Sequence, residues 1–394
     1  MLAQAAHHSL SSQRGAALLL LVITLVMGAA AVFYGMSSPT RLDAERDKKT
    51  EAALAKARDA LIGYAAENAT RPGNLPCPDL TNNGQQTTPC NSVQTRIGLF
   101  PWRTLQTEDL RDGTGAPLLY AVSSIYRGAA GSTLNSDTAG DYTVAGTTPA
   151  SSVIAVVFAP GQVIGAQRRD ATTAPCSTTG TNIARNRCPA NYLEGGNENG
   201  DANFVSALPT AVFNDRLLLI TPDTLFPAVT ARVARDVRAA LAAFYAANNR
   251  FPNAAVFSDA TYTCNSAITQ GRLARATSDP IGCPILQVSP AGPLPTWFTP
   301  NNWHQLIFYA VSPLCTSAAT AAACTSVGGL TVSGVSTNAQ SLLVISGRAY
   351  TGQVRPCVAL TDCLEDAENR NGDSVFQPPA LAASNNDRLI IVAP

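Results

Sequence analysis

The spacing of apolar positions changes character along the chain. No charged residue lies between Arg14 and Arg41, and residues 16–33 read AALLLLVITLVMGAAAVF. An unbroken apolar run of this kind, near the roughly 20 residues that cross a bilayer as a helix, predicts a transmembrane helix over 16–36. Three readings fit it: a secretory signal cut near Ala29-Ala30-Ala31, an uncleaved signal anchor, and a prepilin-type signal cut after Gly15. The single Arg of the leader and the length of the run speak against the first.

Beyond Arg41 the period becomes helical. Leu54, Ala57, Leu61 and Tyr64 share one stripe, with Lys56, Asp59 and Glu67 elsewhere. Val229, Val233, Val237, Leu241 and Phe244 repeat the pattern. Pro72 and Pro252 close both helices, since proline cannot continue the hydrogen-bond ladder. Between Phe33 and Thr70 the breakers are Gly35, Pro39 and Gly63, so the apolar helix is expected to bend near Pro39 and run on into the first stripe. Short apolar runs at 153–157, 217–220, 342–345 and 389–392 predict strands.

Several of these segments occur twice in the same order. The stretch from Arg58 to Tyr64, followed by Asn68 and Pro72, returns as the stretch from Arg238 to Phe244, followed by Asn248 and Pro252. LLYAVS at 118–123 returns as IFYAVS at 307–312. Leu193-Glu194, Asn199-Gly200-Asp201, Phe204 and NDRLLLI at 214–220 match Leu364-Glu365, Asn371-Gly372-Asp373, Phe376 and NDRLIIV at 386–392. The expected fold class is therefore α+β: a long N-terminal transmembrane helix, then two tandem units, each a helix packed on an antiparallel sheet. The expected divisions are a leader over 1–15, the transmembrane helix over 16–36, and units over 37–223 and 224–394.

Charge and composition narrow the picture. Lys plus Arg and Asp plus Glu both number 27, which gives no support for nucleic-acid binding. Only 14% of residues are charged, against about 25% in typical soluble domains, which suits a turn-rich extracytoplasmic surface. All ten cysteines follow the apolar run and fall as neighbours: Cys77/Cys90, Cys176/Cys188, Cys264/Cys283, Cys315/Cys324 and Cys357/Cys363. This even, local spacing predicts disulfide-closed loops in an oxidising compartment. Zinc is the weaker reading, because no C-x-x-C occurs and His304 is the one histidine after the apolar run.

Gly15 before a retained apolar helix, ALIGYA at 60–65, and RPGNLPCPD at 71–79 together resemble the type IV prepilin-like and pseudopilin proteins. The resemblance implies cleavage after Gly15 by a prepilin peptidase, a methylated N-terminus at Ala16, and assembly with other pilin-like subunits. It also implies an inner-membrane, single-pass subunit with its globular part in the periplasm or on an extracellular filament. Major pilins carry glutamate at the fifth mature position, where this chain has Leu20. That departure and the doubled unit point to a minor, tip-type subunit that primes or caps a type IV pilus or a type II secretion pseudopilus. The alternative is a membrane-anchored binding protein, adhesin-like, that does not polymerise.

The best ligand candidates are two oxygen-rich loops: Glu194, Asn197, Asn199 and Asp201, and Glu365, Asn369, Asn371 and Asp373. Alternating oxygens beside a turn glycine are a candidate calcium site, and the resemblance adds weight to it. No complete D-x-[DN]-x-[DN]-G series is present, and Asn-Gly-Asp is also an ordinary turn. Residues 79–84 read as a turn, Asp215-Arg216 and Asp387-Arg388 as structural pairs, and Trp102 and Trp303 as core. No catalytic motif is evident and no other cofactor is implied, so an enzyme is not expected.

Overall fold

A computed structural model describes residues 18–28, 39–92, 95–127, 132–176, 182–274, 294–316, 324, 328–379 and 385–393. Three helices are described: α1, whose described part is 18–28, α2 (Pro39–Glu67) and α3 (Pro222–Asn248). The first half contains β1 (Ile97–Leu99), β2 (Leu119–Val122), β3 (Tyr142–Gly146), β4 (Ala150–Val153), β5 (Ala155–Ala159), β6 (Thr173–Pro175), β7 (Asn182–Ala184), β8 (Asn203–Ser206) and β9 (Arg216–Ile220). The second contains β10 (Ala254–Ala255), β11 (Gln270–Leu273), β12 (Ile307–Val311), β13 (Leu330–Val332), β14 (Ser336–Ala339), β15 (Ser341–Ile345), β16 (Val375–Phe376) and β17 (Arg388–Ala393).

Both ends of α3 have visible causes. α3 opens with Pro222 at its first position, where a missing N–H costs nothing, and Asp223 favours the positive end of the helix. It stops at Asn249, whose left-handed backbone donates its N–H to Tyr245 O at 2.7 Å. α2 buries Ala53, Leu54, Ala57, Leu61 and Ala65; α3 buries Val229, Val233, Val237 and Leu241. These stripes face a common core, in which α2 meets β5 and β9, α3 meets β15 and β17, and the helices meet each other.

Two antiparallel sheets flank that core, in the orders β1-β2-β5-β9 and β10-β11-β12-β15-β17. Their alternating side chains are divided between two interiors. Ala155, Val157 and Ala159 face the helices, whereas Val156 and Phe158 face a second cluster with Tyr142 and Phe204. Likewise Leu343 and Ile345 face the helices, and Leu342 and Val344 pack with Phe308 and Phe376. The outer clusters lie under two three-stranded sheets, β4-β3-β8 and β14-β13-β16. In each, the second pairing is parallel: Val144 opposite Phe204, and Val332 opposite Phe376. A fifth, two-stranded sheet joins β6 and β7. Covering both faces of each main sheet explains why β5, β12 and β15 are buried throughout and, but for Ser341, apolar.

Several expectations are corrected here. The transmembrane helix over 16–36 is not found: α1 is described over 18–28 only, and 16–17 and 29–36 lie outside the described residues. At 1.5 Å per residue this described part rises about 16 Å, half of the roughly 30 Å hydrocarbon core. The long helix that follows, α2, carries charges throughout, so among the described residues no helix is long and apolar enough to cross a membrane. The single-pass, inner-membrane placement falls with it. The fold is also not a pair of separate helix-on-antiparallel-sheet units. It is a mixed α/β arrangement of five sheets, two with parallel pairs, around one core that both long helices share.

Disulfides close Cys77–Cys90, Cys176–Cys188, Cys315–Cys324 and Cys357–Cys363. Cys264 is buried, and its expected partner Cys283 lies outside the described residues, as do Gly15 and Ala16.

Candidate functional site

The two oxygen-rich loops take the same form in both halves. Asn197, fully buried, completes a strand-like pairing: its Oδ1 accepts the Val205 N–H at 2.8 Å and its Nδ2 donates to Val205 O at 3.1 Å. Asn369 does the same with Gln377, at 2.8 and 2.9 Å. Asn199 and Asp201 form an exposed turn, in which Asn199 Oδ1 accepts the Asp201 N–H and Asp201 Oδ1 accepts the Asn203 N–H. Asn371 and Asp373 repeat it toward Val375. These turns launch β8 and β16 into their parallel pairings.

Glu194 and Glu365 turn the other way. Glu194 accepts from Gln167 Nε2 at 2.6 Å and from the Asn214 N–H at 3.0 Å. Glu365 accepts from Gln353 Nε2 at 3.0 Å and the Asn386 N–H at 3.2 Å. Their backbone N–H groups donate to Asp215 Oδ2 and Asp387 Oδ2, each at 3.0 Å. The two acids of each half thus clasp one another, and each clasp joins a loop to the last strand of a main sheet.

Asp215 and Asp387 are 3% and 6% exposed, and in both the second oxygen, Oδ1, is buried without a hydrogen-bond partner. Each lies within hydrogen-bonding reach of its glutamate carboxyl. Burial, above all, pushes each aspartate up to about 8. The neighbouring glutamate adds to the shift, while Asn197 and the Glu194 N–H oppose it in the first half. In the second, the Glu365 N–H and Arg355 oppose it. Burial thus favours the neutral form of each aspartate.

A half-buried arginine accompanies each clasp. Arg169 acts on Asp112, Glu194 and Asp215 and donates to Asn191 O, Gly161 O and Gln167 Oε1, all in its own half. Arg355 also donates to Gly347 O, but its Nε reaches Asp137 of the first half at 3.1 Å.

The eight candidate calcium ligands do not converge. Asn197 and Asn369 are buried in strand-like pairings, the Asn199/Asp201 and Asn371/Asp373 turns are exposed, and the glutamates face the aspartates. Among the described residues no three His, Cys, Asp or Glu side chains are grouped to hold a metal ion. The carboxylate oxygens accept N–H groups and stand near a guanidinium, a setting that does not fit the six to eight oxygen ligands of Ca²⁺.

The remaining candidates are placed as follows. Asp79 orders the 79–84 turn, accepting from the Thr81 and Asn82 N–H groups through Oδ1 and from Gly84 through Oδ2. Arg216 leaves Asp215 and reaches Asp47 on α2 at 2.7 Å. Trp303 is fully buried, Trp102 is half-buried, and His304 is buried edge-on to Tyr262. The role of Asp215 and Asp387 as partners of the glutamates was not read from the sequence. The signal was there: a Glu and an Asp recur 21 and 22 residues apart in the two copies.

Above the second clasp lies a groove of about 660 Å³ bordered by Pro222, Phe226, Pro227, Tyr350, Pro379 and Asp387. The matching groove of the first half is about 330 Å³ and presents Asp43, Arg46, Asp47 and Arg216, where the larger groove carries Asp223, Arg348 and Arg388 beside its apolar side chains.

No protein-family model, curated protein or solved structure matches this chain.

Proposed function

We propose that the chain is a structural subunit that assembles with other pilin-like subunits, priming or capping a type IV pilus or a type II secretion pseudopilus. The observation that carries this reading is α1. Leu18, Leu21 and Leu25 are 69%, 63% and 67% exposed, and Thr24 is the single polar side chain over 18–28. Apolar surface on this scale gains about 25 cal/mol per Å² when covered, so such a helix is built to be buried against a partner. The equivalent helices of neighbouring subunits offer that cover. Leu20, in place of a glutamate, leaves no charge needing a neighbour's N-terminus, which suits a subunit at an end.

Two measurements test this. N-terminal sequencing of the mature protein is expected to begin at Ala16, after prepilin-peptidase cleavage. Leu21→Glu with Leu25→Glu is expected to abolish co-purification with filament subunits while leaving the fold intact. A start at Met1, or unchanged co-purification, overturns the reading. The second-half groove favours a non-polymerising binding protein as the alternative, since a concave, mainly apolar cleft over a shifted carboxyl is a common ligand-site form. That alternative predicts a monomer at all concentrations.

A further inference from the structure

We propose that each oxygen-rich loop is locked to the last strand of its sheet by a single proton shared between Glu194 and Asp215, and between Glu365 and Asp387, so that alkalinisation, and not removal of a divalent cation, opens the loops. This goes beyond the assembly reading and does not depend on it.

The geometry carries the inference. In both halves the aspartate is buried, one of its oxygens accepts a backbone N–H from the glutamate, and the other has no donor. An unpaired buried carboxylate oxygen is costly, and a proton on one carboxyl makes it a donor to the other. A cation would have to displace the Gln167 and Asn214 donors of Glu194, or the Gln353 and Asn386 donors of Glu365. It would also sit beside Arg169 or Arg355, which repel it. The same constellation in two copies, with differing surroundings, argues against an accident of one loop.

The charged and titratable groups around each pair set its response. The first pair faces Arg169, with Tyr192 against the same guanidinium at 4.6 Å. The second faces Arg355, and Tyr350 adjoins Glu365 and Asp387, with Arg348 and Asp223 beyond it. With burial pushing both aspartates up to about 8, the shared protons are held at neutral pH and lost in mild alkali. Two carboxylates left in contact then repel each other in a poorly solvated site. The loop bearing the glutamate is the side expected to yield, because each aspartate directly precedes a strand, β9 or β17, that is paired within the sheet.

Infrared spectroscopy of the full chain tests the proton directly. A protonated-carboxyl C=O band is expected at pH 7, titrating away near pH 8, with its amplitude halved in Asp215→Asn and in Asp387→Asn. Glu194→Gln and Glu365→Gln, which serve if an aspartate variant fails to fold, keep the buried aspartate, so the band is expected to persist but to shift in position and titrate at lower pH, because the raising influence of the glutamate is gone. Hydrogen exchange over 194–205 and 365–377, corrected for intrinsic rates, is expected to quicken at least tenfold from pH 6.5 to 9. Excess EDTA or millimolar Ca²⁺ at pH 7 is expected to leave it unchanged. Absence of the band at pH 7, or loops loosened by EDTA and restored by Ca²⁺, overturns the proposal.

Discussion

Asn135 donates from Nδ2 to the backbone oxygen of Asn301 at 3.0 Å, and Asn301 Oδ1 accepts the Leu134 N–H at 3.0 Å in return. The residues come from opposite halves and are both buried. With α2 against α3 and Arg355 on Asp137, this exchange ties the halves together, so they are expected to unfold as one. Asn301→Ala strands a buried N–H and is expected to destabilise the protein by about 1–3 kcal/mol. Urea unfolding followed by tryptophan fluorescence and by circular dichroism should give one coincident transition in the parent protein. Two separated transitions would count against a shared core.

Stability should fall as pH rises. Asp215 and Asp387 titrate near 8 in the folded state against the usual 3.8, so between these values the folded chain holds protons the unfolded chain has released. Stability from this source is fully present below pH 4, declines through the window, and is lost above about pH 8. Within the window the expected loss is about 1.4 kcal/mol per pH unit for each pair. Asp215→Asn and Asp387→Asn should each flatten the slope in melts taken from pH 5 to 9. An unchanged slope in the double variant would contradict the assignment.

Gly113 is the point where a loop meets α2. Its N–H donates to Thr50 Oγ1 at 2.9 Å, and a Cβ here would collide with the backbone oxygen of Arg46. Gly113→Ala should therefore cost upward of about 2 kcal/mol, because neither backbone can give way cheaply. At Gly115 no atom lies in the way, but φ is +87°, so Gly115→Ala should cost nearer 1 kcal/mol. Denaturant midpoints of the two variants check the order.

Removing the disulfides singly should rank by loop length. Cys77–Cys90 spans 13 positions and Cys357–Cys363 spans 6. Serine pairs at these sites should cost about 3 and about 2 kcal/mol. The reverse order in calorimetry would show that local packing, and not loop closure, governs these loops.

Deleting residues 1–38 should leave the fold intact, because the common core begins at Ala53. The melting temperature is expected to stay within about 2 °C of the parent. A larger drop would mean that the N-terminal segment packs on the core.

Much of this organisation could be read in advance. The stripes from Leu54 to Leu61 and from Val229 to Phe244 lie on helices, and the two Tyr-Ala-Val segments lie on β2 and β12. Such features are local, and side-chain periodicity reports them. The seam between α2 and α3 was not legible, because a buried stripe does not say which partner covers it. The parallel pairing of β3 with β8 was hidden for another reason: a connection of 56 residues separates strands too short to announce themselves. At the site, composition drew attention to Asn199 and Asp201, which form a surface turn. The chemistry lies with Glu194 and Asp215, whose meeting depends on tertiary structure.

The common core has a consequence for how the two copies can diverge. Each outer sheet shields one interior of its own, so substitutions around Phe204 or Phe376 concern a single copy. Along the helices the copies answer to each other: Leu61 and Leu241 belong to one interior, and a change of volume in either is felt by both. A chimera carrying two identical copies would inherit sound sheets and a mismatched seam.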